Sequence, residues 1–207
     1  MDSEPARIRG YQPEDLDSLY RICLQTADNG EDATALFADP ELPGNVYVGP
    51  YCAFEPSLAF VAADAARVGG YIVAALNTAD FERRLERDWW PQLRARYPEP
   101  SPEAAERLPL PQRYAIRNIH HHFGAGTAVT ERFPSHLHIN LDPRMQGRGA
   151  GRRLIKALTD RLRTLGSPGV HLIVGDANQR AIGFYRHVGF TELATGPHIF
   201  AMRLAND

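Results

Sequence analysis

The stretch Gln146-Gly-Arg-Gly-Ala-Gly151 decides the fold, because it connects a predicted strand to a predicted helix through a glycine-rich turn. Before the turn, Leu137, Ile139 and Leu141 alternate with polar residues, which is the two-residue period of a strand. After it, residues 152–165 have the apolar spacing of a helix. Such a turn directs backbone N–H groups and the positive end of a helix dipole at one point. The stretch therefore predicts a site for a phosphate or pyrophosphate group.

The glycine spacing distinguishes between kinds of phosphate-binding turn. A dinucleotide pattern G-x-G-x-x-G, counted from Gly147, would need a glycine where Arg152 stands, and a P-loop would need Gly-Lys-Ser/Thr. The pattern Gln/Arg-x-x-Gly-x-Gly/Ala does fit, at Gln146, Gly149 and Gly151. It resembles the coenzyme A pyrophosphate loop of the GNAT acetyltransferases. A glycine turn before a helix also occurs merely to let a strand and a helix pack closely.

Residues 176–190 resemble a second GNAT signature. An asparagine near a helix start is followed by Ala-Ile-x-Phe-Tyr and by a terminal Gly-Phe. The spacing of Asp176 and Gln179 predicts a capping box, which would leave Asn178 free to bind a ligand. Gly189 is predicted to end the helix in a left-handed conformation.

The two motifs together imply the GNAT fold. This is an α/β fold with a mixed, mostly antiparallel central sheet, flanked by helices and splayed between the fourth and fifth strands. The resemblance implies acetyl-CoA as cosubstrate, with its pantetheine arm in the splay. The residues implied to hold the coenzyme are Leu141, Gln146, Gly147, Arg148, Gly149, Ala150, Gly151 and Asn178.

Further elements are predicted from apolar periodicity on both sides of the motifs. The expected strands are 6–9, 58–63, 68–76, 135–141, 170–174, 190–193 and 199–204. A helix is expected at 13–26, followed by a loop at 27–44 in which a short helix near Ala33 is an option. Residues 78–134 separate two of these strands and are interpreted as an insertion, with a helix at 80–97 and a proline-rich break at 98–111. The whole chain, residues 1–207, is predicted to be one domain.

Segments before the glycine turn resemble the C-terminal acetyltransferase-like domain of O-GlcNAcase and its free-standing bacterial relatives. They are residues 19–23, 26–34, 56–60 and 69–71. In the animal domain the glycine turn is degraded, whereas here it is intact. The resemblance therefore implies a bacterial-type relative that is competent to bind acetyl-CoA.

Acetyl transfer to an amine requires a base, because a lysine-like amine with a pKa near ~10.4 is roughly one part in a thousand neutral at pH 7. Histone-type relatives place a glutamate near the start of the strand before the glycine turn. Here that region reads Ser-His-Leu-His, and His136, His138 and Asn140 share one face of the strand. Either histidine is a candidate base, and each is equally well explained as a core or surface residue that is hydrogen-bonded to its neighbours.

The departing thiolate of coenzyme A would benefit from a proton donor. The resemblance implies this role for Tyr185, the tyrosine of Ala-Ile-x-Phe-Tyr. The alternative is structural, since Tyr185 also belongs to an apolar stripe with Ala181, Ile182 and Val188 that would be buried against the sheet.

Composition limits the remaining possibilities. A net charge of −2 gives no indication of a nucleic-acid partner. Two cysteines, a polar N-terminus and the lack of a long apolar run predict a reduced, cytoplasmic protein with no membrane partner. The run at residues 120–122 lacks the ligand spacing of a zinc site, so no metal is expected. A homodimer is possible.

These observations favour an N-acetyltransferase that moves an acetyl group from acetyl-CoA directly to an amine. The alternative is a coenzyme A-binding regulatory or interaction module without transferase activity. For the enzyme, a cationic acceptor would be drawn to the acidic residues Asp28, Glu31 and Asp32.

Overall fold

A central sheet of seven strands organises the computed structural model, which describes residues 6–121, 124–193 and 198–204. The strands are β1 (Arg7–Gly10), β2 (Phe60–Ala63), β3 (Val68–Ala75), β4 (Ser135–Leu141), β5 (Gly169–Ile173), β6 (Thr191–Leu193) and β7 (Ile199–Arg203). All seven lie within two residues of the bounds expected from periodicity.

The strand order is β1-β2-β3-β4-β5-β7-β6, and each neighbouring pair is antiparallel except β4 and β5. Strands β3 and β4 are paired along six successive positions. The parallel pairing of β4 with β5, in the described part of the chain, consists of Ser135 with Val170 and His136 with His171. The two strands therefore separate after His136, which confirms the predicted GNAT sheet with a splay between its fourth and fifth strands.

Ten helices flank the sheet within the described ranges. They are α1 (Leu16–Leu24), α2 (Leu42–Tyr47), α3 (Gly49–Phe54), α4 (Thr78–Asp88), α5 (Trp90–Arg96), α6 (Pro102–Glu106), α7 (Leu110–His120), α8 (Thr127–Arg132), α9 (Ala150–Thr164) and α10 (Gln179–His187). The predicted loop at 27–44 ends earlier than expected, since α2 begins at Leu42.

The two faces of the sheet carry different cores. Alternating side chains send Ile72 and Ala74 of β3 into the core beneath α9 and α10, and Tyr71 and Val73 into the core beneath α1, α3 and α4. Helix α9 contributes Leu154, Leu158 and Leu162, all with no exposed side-chain area. The splay thus opens between two separate hydrophobic layers.

The described parts of segment 78–134, residues 78–121 and 124–134, contain five helices, α4 to α8, between β3 and β4. The single helix expected at 80–97 is two helices, because Pro91 lacks an N–H group and stands at the start of α5. Trp89, at the break, donates its indole N–H to the Asn45 carbonyl at 2.9 Å. Helix α7 packs on α2 and α5. The segment therefore covers the face of the sheet on which α1 to α3 lie.

None of the helices in the described ranges is both long enough and apolar enough to cross a membrane.

Candidate active site

The glycine turn has the open backbone that the sequence predicts. Gly147 and Gly149 have positive φ angles of 71° and 74°, and Gly149 is the N-cap of α9. A Cβ atom added at either glycine would meet no other atom within 4 Å. The turn is therefore open beside Gly147 and Gly149, next to the first N–H groups of a 15-residue helix, as an anion site requires.

Three other residues of the turn have structural tasks. A Cβ atom on Gly151 would lie 3.1 Å from the Phe184 ring, so this glycine lets α9 approach α10. Ala150 is 1% exposed and belongs to the core. The Gln146 side-chain amide donates a hydrogen bond to the Leu141 carbonyl at 2.9 Å, which ties the turn to the end of β4.

The edge of β4 presents backbone groups to the splay. The Asp142 N–H donates to the Gly69 carbonyl at 2.8 Å, so the backbone groups of alternate residues in this strand point to β3. By the same alternation, the backbone groups of Ile139 and Leu141 point toward the gap. Gln146 uses the Leu141 carbonyl, and the N–H of Leu141 remains directed at the gap.

Asn178 corrects one expectation from the sequence. It is Asn178, and not Asp176, that caps α10: its side-chain oxygen accepts a hydrogen bond from the Ala181 N–H at 3.0 Å. The Gln179 side chain instead donates to the Asp176 carbonyl at 2.8 Å. Asn178 is the cap because it lies three residues before Ala181, whose N–H donates the hydrogen bond, and this is the usual capping distance. Its oxygen is committed to this cap, and its NH₂ group donates no hydrogen bond to the described part of the chain.

The acidic loop after α1 lies at the mouth of the splay. A Cβ atom on Gly30 would be 3.5 Å from the Asn178 amide nitrogen, and one on Gly175 would be 2.7 Å from Asn29 Oδ1. Both contacts join the loop to the carboxyl end of β5. Nearby, Asn140 donates to Thr26 Oγ1 at 2.5 Å and accepts from the Tyr71 hydroxyl at 3.0 Å. Asn140 therefore anchors this loop to β4.

His136 and His138 lie on the face of β4 that is covered by α3 and α4, and both are partly exposed. Nε2 of His136 lies 2.8 Å from the Tyr51 hydroxyl, and Nε2 of His138 lies 3.1 Å from the same oxygen. Nδ1 of His136 is 2.8 Å from the Thr78 hydroxyl. The structure therefore connects the two candidate bases through one tyrosine.

Burial controls the charge of both histidines. It lowers the pKa of His138 to about 4 and the pKa of His136 well below its usual range, and in each case a neighbouring histidine lowers it further. Both rings are consequently neutral at pH 7. A neutral imidazole has the free lone pair that a general base requires.

Tyr51, Thr78 and Glu82 belong to this cluster and were missed from the sequence. Tyr51 is 5% exposed and stacks on Phe81, with 4.5 Å between ring centroids. Burial and the nearby Glu82 carboxylate raise the pKa of Tyr51. No motif marks these residues, because they lie in α3 and α4, far along the chain from β4.

Tyr185 lies on the other side of the sheet, against Phe190 and Phe200, and is 7% exposed. Its ring is in the core beneath α9, which fits the structural interpretation. The catalytic interpretation depends on its hydroxyl. Its hydroxyl has no hydrogen-bond partner among the residues that the structure describes. Burial raises the pKa of Tyr185, so the hydroxyl keeps its proton at pH 7.

Asp142 and Glu131, the carboxylates that flank β4, are poorly placed as bases. Asp142 is buried and paired with Arg67 at 3.1 Å and with Arg21 at 3.5 Å. Glu131 is exposed on α8.

The chain matches the Acetyltransferase (GNAT) family over residues 28–190. It belongs to that family. GNAT acetyltransferases use acetyl-CoA as donor, so the enzyme class predicted from the two motifs is confirmed.

Two relatives extend over most of this GNAT protein. It is 24% identical to Protein O-GlcNAcase of Rattus norvegicus over 191 residues, which are 90% of this chain and 20% of the rat protein. The crystal structure of SsHAT superimposes with a TM-score of 0.87 at 32% identity, covering 98% of this chain and all of SsHAT. The chain thus spans about a fifth of the O-GlcNAcase length, and the predicted resemblance to O-GlcNAcases is confirmed.

A more distant structure shows the same fold. The structure of yncA from Salmonella typhimurium with its cofactor acetyl-CoA has a TM-score of 0.56 at 13% identity and covers 99% of this chain.

Proposed function

We propose that this GNAT protein transfers an acetyl group from acetyl-CoA directly to the nitrogen of an amine. The observation that carries the proposal is the position of two neutral histidines on β4, the strand that borders the splay and leads into the glycine turn. One strand thus joins a candidate base to a candidate donor site.

On the donor side, the protein backbone of the glycine turn and of β4 supplies groups that would bind acetyl-CoA. Gly147 and Gly149 leave a cradle that a Cβ atom would enter, next to the first N–H groups of α9. These groups would hold the pyrophosphate, with Arg148 adding positive charge at the exposed turn. The outward-facing edge of β4 at Leu141 would bind the pantetheine arm, and the NH₂ group of Asn178 would face it from the other side of the splay.

The acceptor side would take the proton that the amine must lose. Acetyl-CoA supplies an activated thioester, whose C–S bond breaks as the C–N bond forms. His138 or His136 receives the amine proton, because each has a neutral ring at pH 7. Tyr185 donates a proton to the departing sulfur, which a hydroxyl without another partner in the described residues can do.

A cationic amine is the acceptor that the charges favour. Asp28, Glu31 and Asp32 lie in the loop at the mouth of the splay, and Glu82 of α4 lies near Tyr51. Negative charge at a narrow opening concentrates cations there. Segment 78–134 would contribute to the acceptor side through α4, and the chain would act as one domain over its full length.

A screen of amines tests the proposal against the regulatory alternative. Thiol release from acetyl-CoA is measured with small polyamines, aminosugars and peptides, and the acetylated product is identified by mass spectrometry. The proposal predicts release that depends on an amine and yields one acetylated amine per thiol. Tight acetyl-CoA binding without amine-dependent release would favour the module that senses acetyl-CoA without transferring it.

A further inference from the structure

We propose that Tyr51 joins His138 and His136 into a proton relay, in which Nδ1 of His138 receives the proton of the acceptor amine and His136 takes it up transiently. The proposal rests on the transfer reaction proposed above. It adds a catalytic chain that neither the family nor the two motifs assign.

The direction of the relay follows from counting hydrogens. The Thr78 hydroxyl lies 2.7 Å from the Pro134 carbonyl oxygen, and a carbonyl can only accept, so the single hydrogen of this hydroxyl is committed there. Nδ1 of His136, 2.8 Å from the same hydroxyl, must therefore carry a hydrogen and donate. A neutral His136 then has its lone pair on Nε2.

The same count continues to His138. Because Nε2 of His136 is an acceptor, the Tyr51 hydroxyl at 2.8 Å donates to it. The Tyr51 oxygen is left to accept, and Nε2 of His138 at 3.1 Å must be its donor. A neutral His138 thus has its lone pair on Nδ1. The resting chain runs from His138 to Tyr51, to His136, to Thr78 and ends at the Pro134 carbonyl.

One proton can pass along this chain with every atom balanced. The amine proton binds Nδ1 of His138, the Nε2 hydrogen of His138 moves to Tyr51, and the Tyr51 hydrogen moves to Nε2 of His136. His138 and Tyr51 end neutral, and His136 ends as the imidazolium. Burial and Glu82 disfavour a tyrosinate, so the two hydrogens at Tyr51 move together.

The imidazolium of His136 is transient, because burial and the neighbouring His138 and His171 lower the pKa of His136. The Glu82 carboxylate of α4 raises the pKa of Tyr51 and so favours the protonated hydroxyl at the centre of the chain. His171 of β5 lies beside His136, with 5.8 Å between the two ring centroids. Nδ1 of His171 donates to the Phe133 carbonyl at 2.7 Å, so this ring lies outside the relay, and burial lowers its pKa. Tyr47 packs on His138 from α2 without joining the chain.

The ring nitrogens can be observed directly. In the ¹⁵N NMR spectrum of histidine-labelled protein at pH 7, we expect His136 to be protonated on Nδ1 and His138 on Nε2, with assignments from His136→Gln and His138→Gln. A His136 protonated on Nε2, or a His138 protonated on Nδ1, would overturn the relay. This measurement needs no substrate, so it separates a failure of the relay from a failure of acetyl transfer.

Kinetics test whether the chain is used. Tyr51→Phe removes one oxygen and keeps the ring, and Tyr47→Phe is the matched control, because its hydroxyl instead accepts from Asn118 at 3.0 Å. In single turnovers with saturating acetyl-CoA, we expect a loss of ~10- to 100-fold for Tyr51→Phe and less than about threefold for Tyr47→Phe. The affinity for acetyl-CoA should be unchanged in both.

Solvent isotope effects provide a readout that a structural role would not change. The wild-type rate should depend on the deuterium fraction along a curve, as expected when several protons move together, and Tyr51→Phe should give a straight line. Tyr51→Phe combined with His136→Gln should be no slower than the slower single variant, since both interrupt one chain. A straight line for the wild type, or additive losses, would contradict the relay.

Discussion

The donor and acceptor sides of the splay are built from different parts of the chain. The donor side is continuous backbone, with two glycines at positive φ leading into α9. The acceptor side consists of side chains from α3, α4 and β4, held in place by hydrogen bonds between them. The difference indicates that the donor side depends on backbone conformation and free space, whereas the acceptor side depends on single polar atoms.

Because the donor side depends on open space beside the glycine turn, a side chain that fills this space should have the largest effect, and the effect should be on acetyl-CoA affinity. We expect Gly149→Glu to weaken acetyl-CoA binding by at least ~100-fold, about 2.7 kcal/mol, because the carboxylate would enter and repel the pyrophosphate space. Gly149→Ala is the control: it shares the left-handed backbone cost of roughly 1–2 kcal/mol but adds only a methyl group. Calorimetry on both folded variants gives the affinities.

The same affinity for acetyl-CoA in folded Gly149→Glu and in the wild type would show that the donor site lies elsewhere. An equal loss in both variants would mean that conformation, and not space, determines binding.

The acceptor side should respond in rate and not in affinity. We expect His138→Gln to slow single-turnover transfer by roughly 10²- to 10⁴-fold, the usual contribution of a general base, with little change in acetyl-CoA affinity. His120→Gln is a suitable control, since this histidine of α7 is hydrogen-bonded to the Tyr97 carbonyl at 2.8 Å. If His138→Gln lost acetyl-CoA affinity in proportion to its transfer rate, the distinction between the donor and acceptor sides would be wrong.

A Tyr185 variant tests whether this residue acts in the transfer step or in acetyl-CoA binding. Tyr185→Phe should reduce the transfer rate by up to about tenfold while acetyl-CoA still binds, because the hydroxyl matters mainly when the thiolate departs. The effect should shrink as pH rises, since a thiol with a pKa near ~8.5 then leaves without a proton. A parallel loss of binding and rate would make Tyr185 a packing residue, as its place against Phe200 also allows.

The smallest expected effect is on stability. As pH falls from about 6.5 toward 4.5, the unfolded chain protonates its histidines, whereas native His136, His138 and His171 resist because burial lowers their pKa values. Stability present above pH 6.5 is therefore lost in this window. We expect a loss on the order of 1 kcal/mol, allowing for partial exposure.

Urea unfolding at pH 7.0, 5.5 and 4.5 measures this loss. His136→Gln combined with His138→Gln should reduce the pH dependence. The same slope in the variant and the wild type would show that these two rings titrate normally.

The sequence revealed the donor side better than the acceptor side for a physical reason. The glycine turn and its flanking strand and helix are local, so spacing alone predicts them, and β4 is found at its expected residues Ser135–Leu141. The predicted cap of α10 was wrong, because Asp176 and Asn178 are both good capping residues and lie only two positions apart. Tyr51 reaches His136 across 85 positions of sequence, and no local pattern records such a contact.

The pattern of two-substrate kinetics tests the central claim most directly. With the best amine of the screen, initial rates of thiol release are measured while acetyl-CoA and the amine are both varied. Direct transfer from a splay that holds both substrates at once predicts intersecting double-reciprocal lines and an acetylated amine equal in amount to the thiol. Parallel lines, which indicate an acetylated enzyme, or thiol release independent of the amine would contradict it.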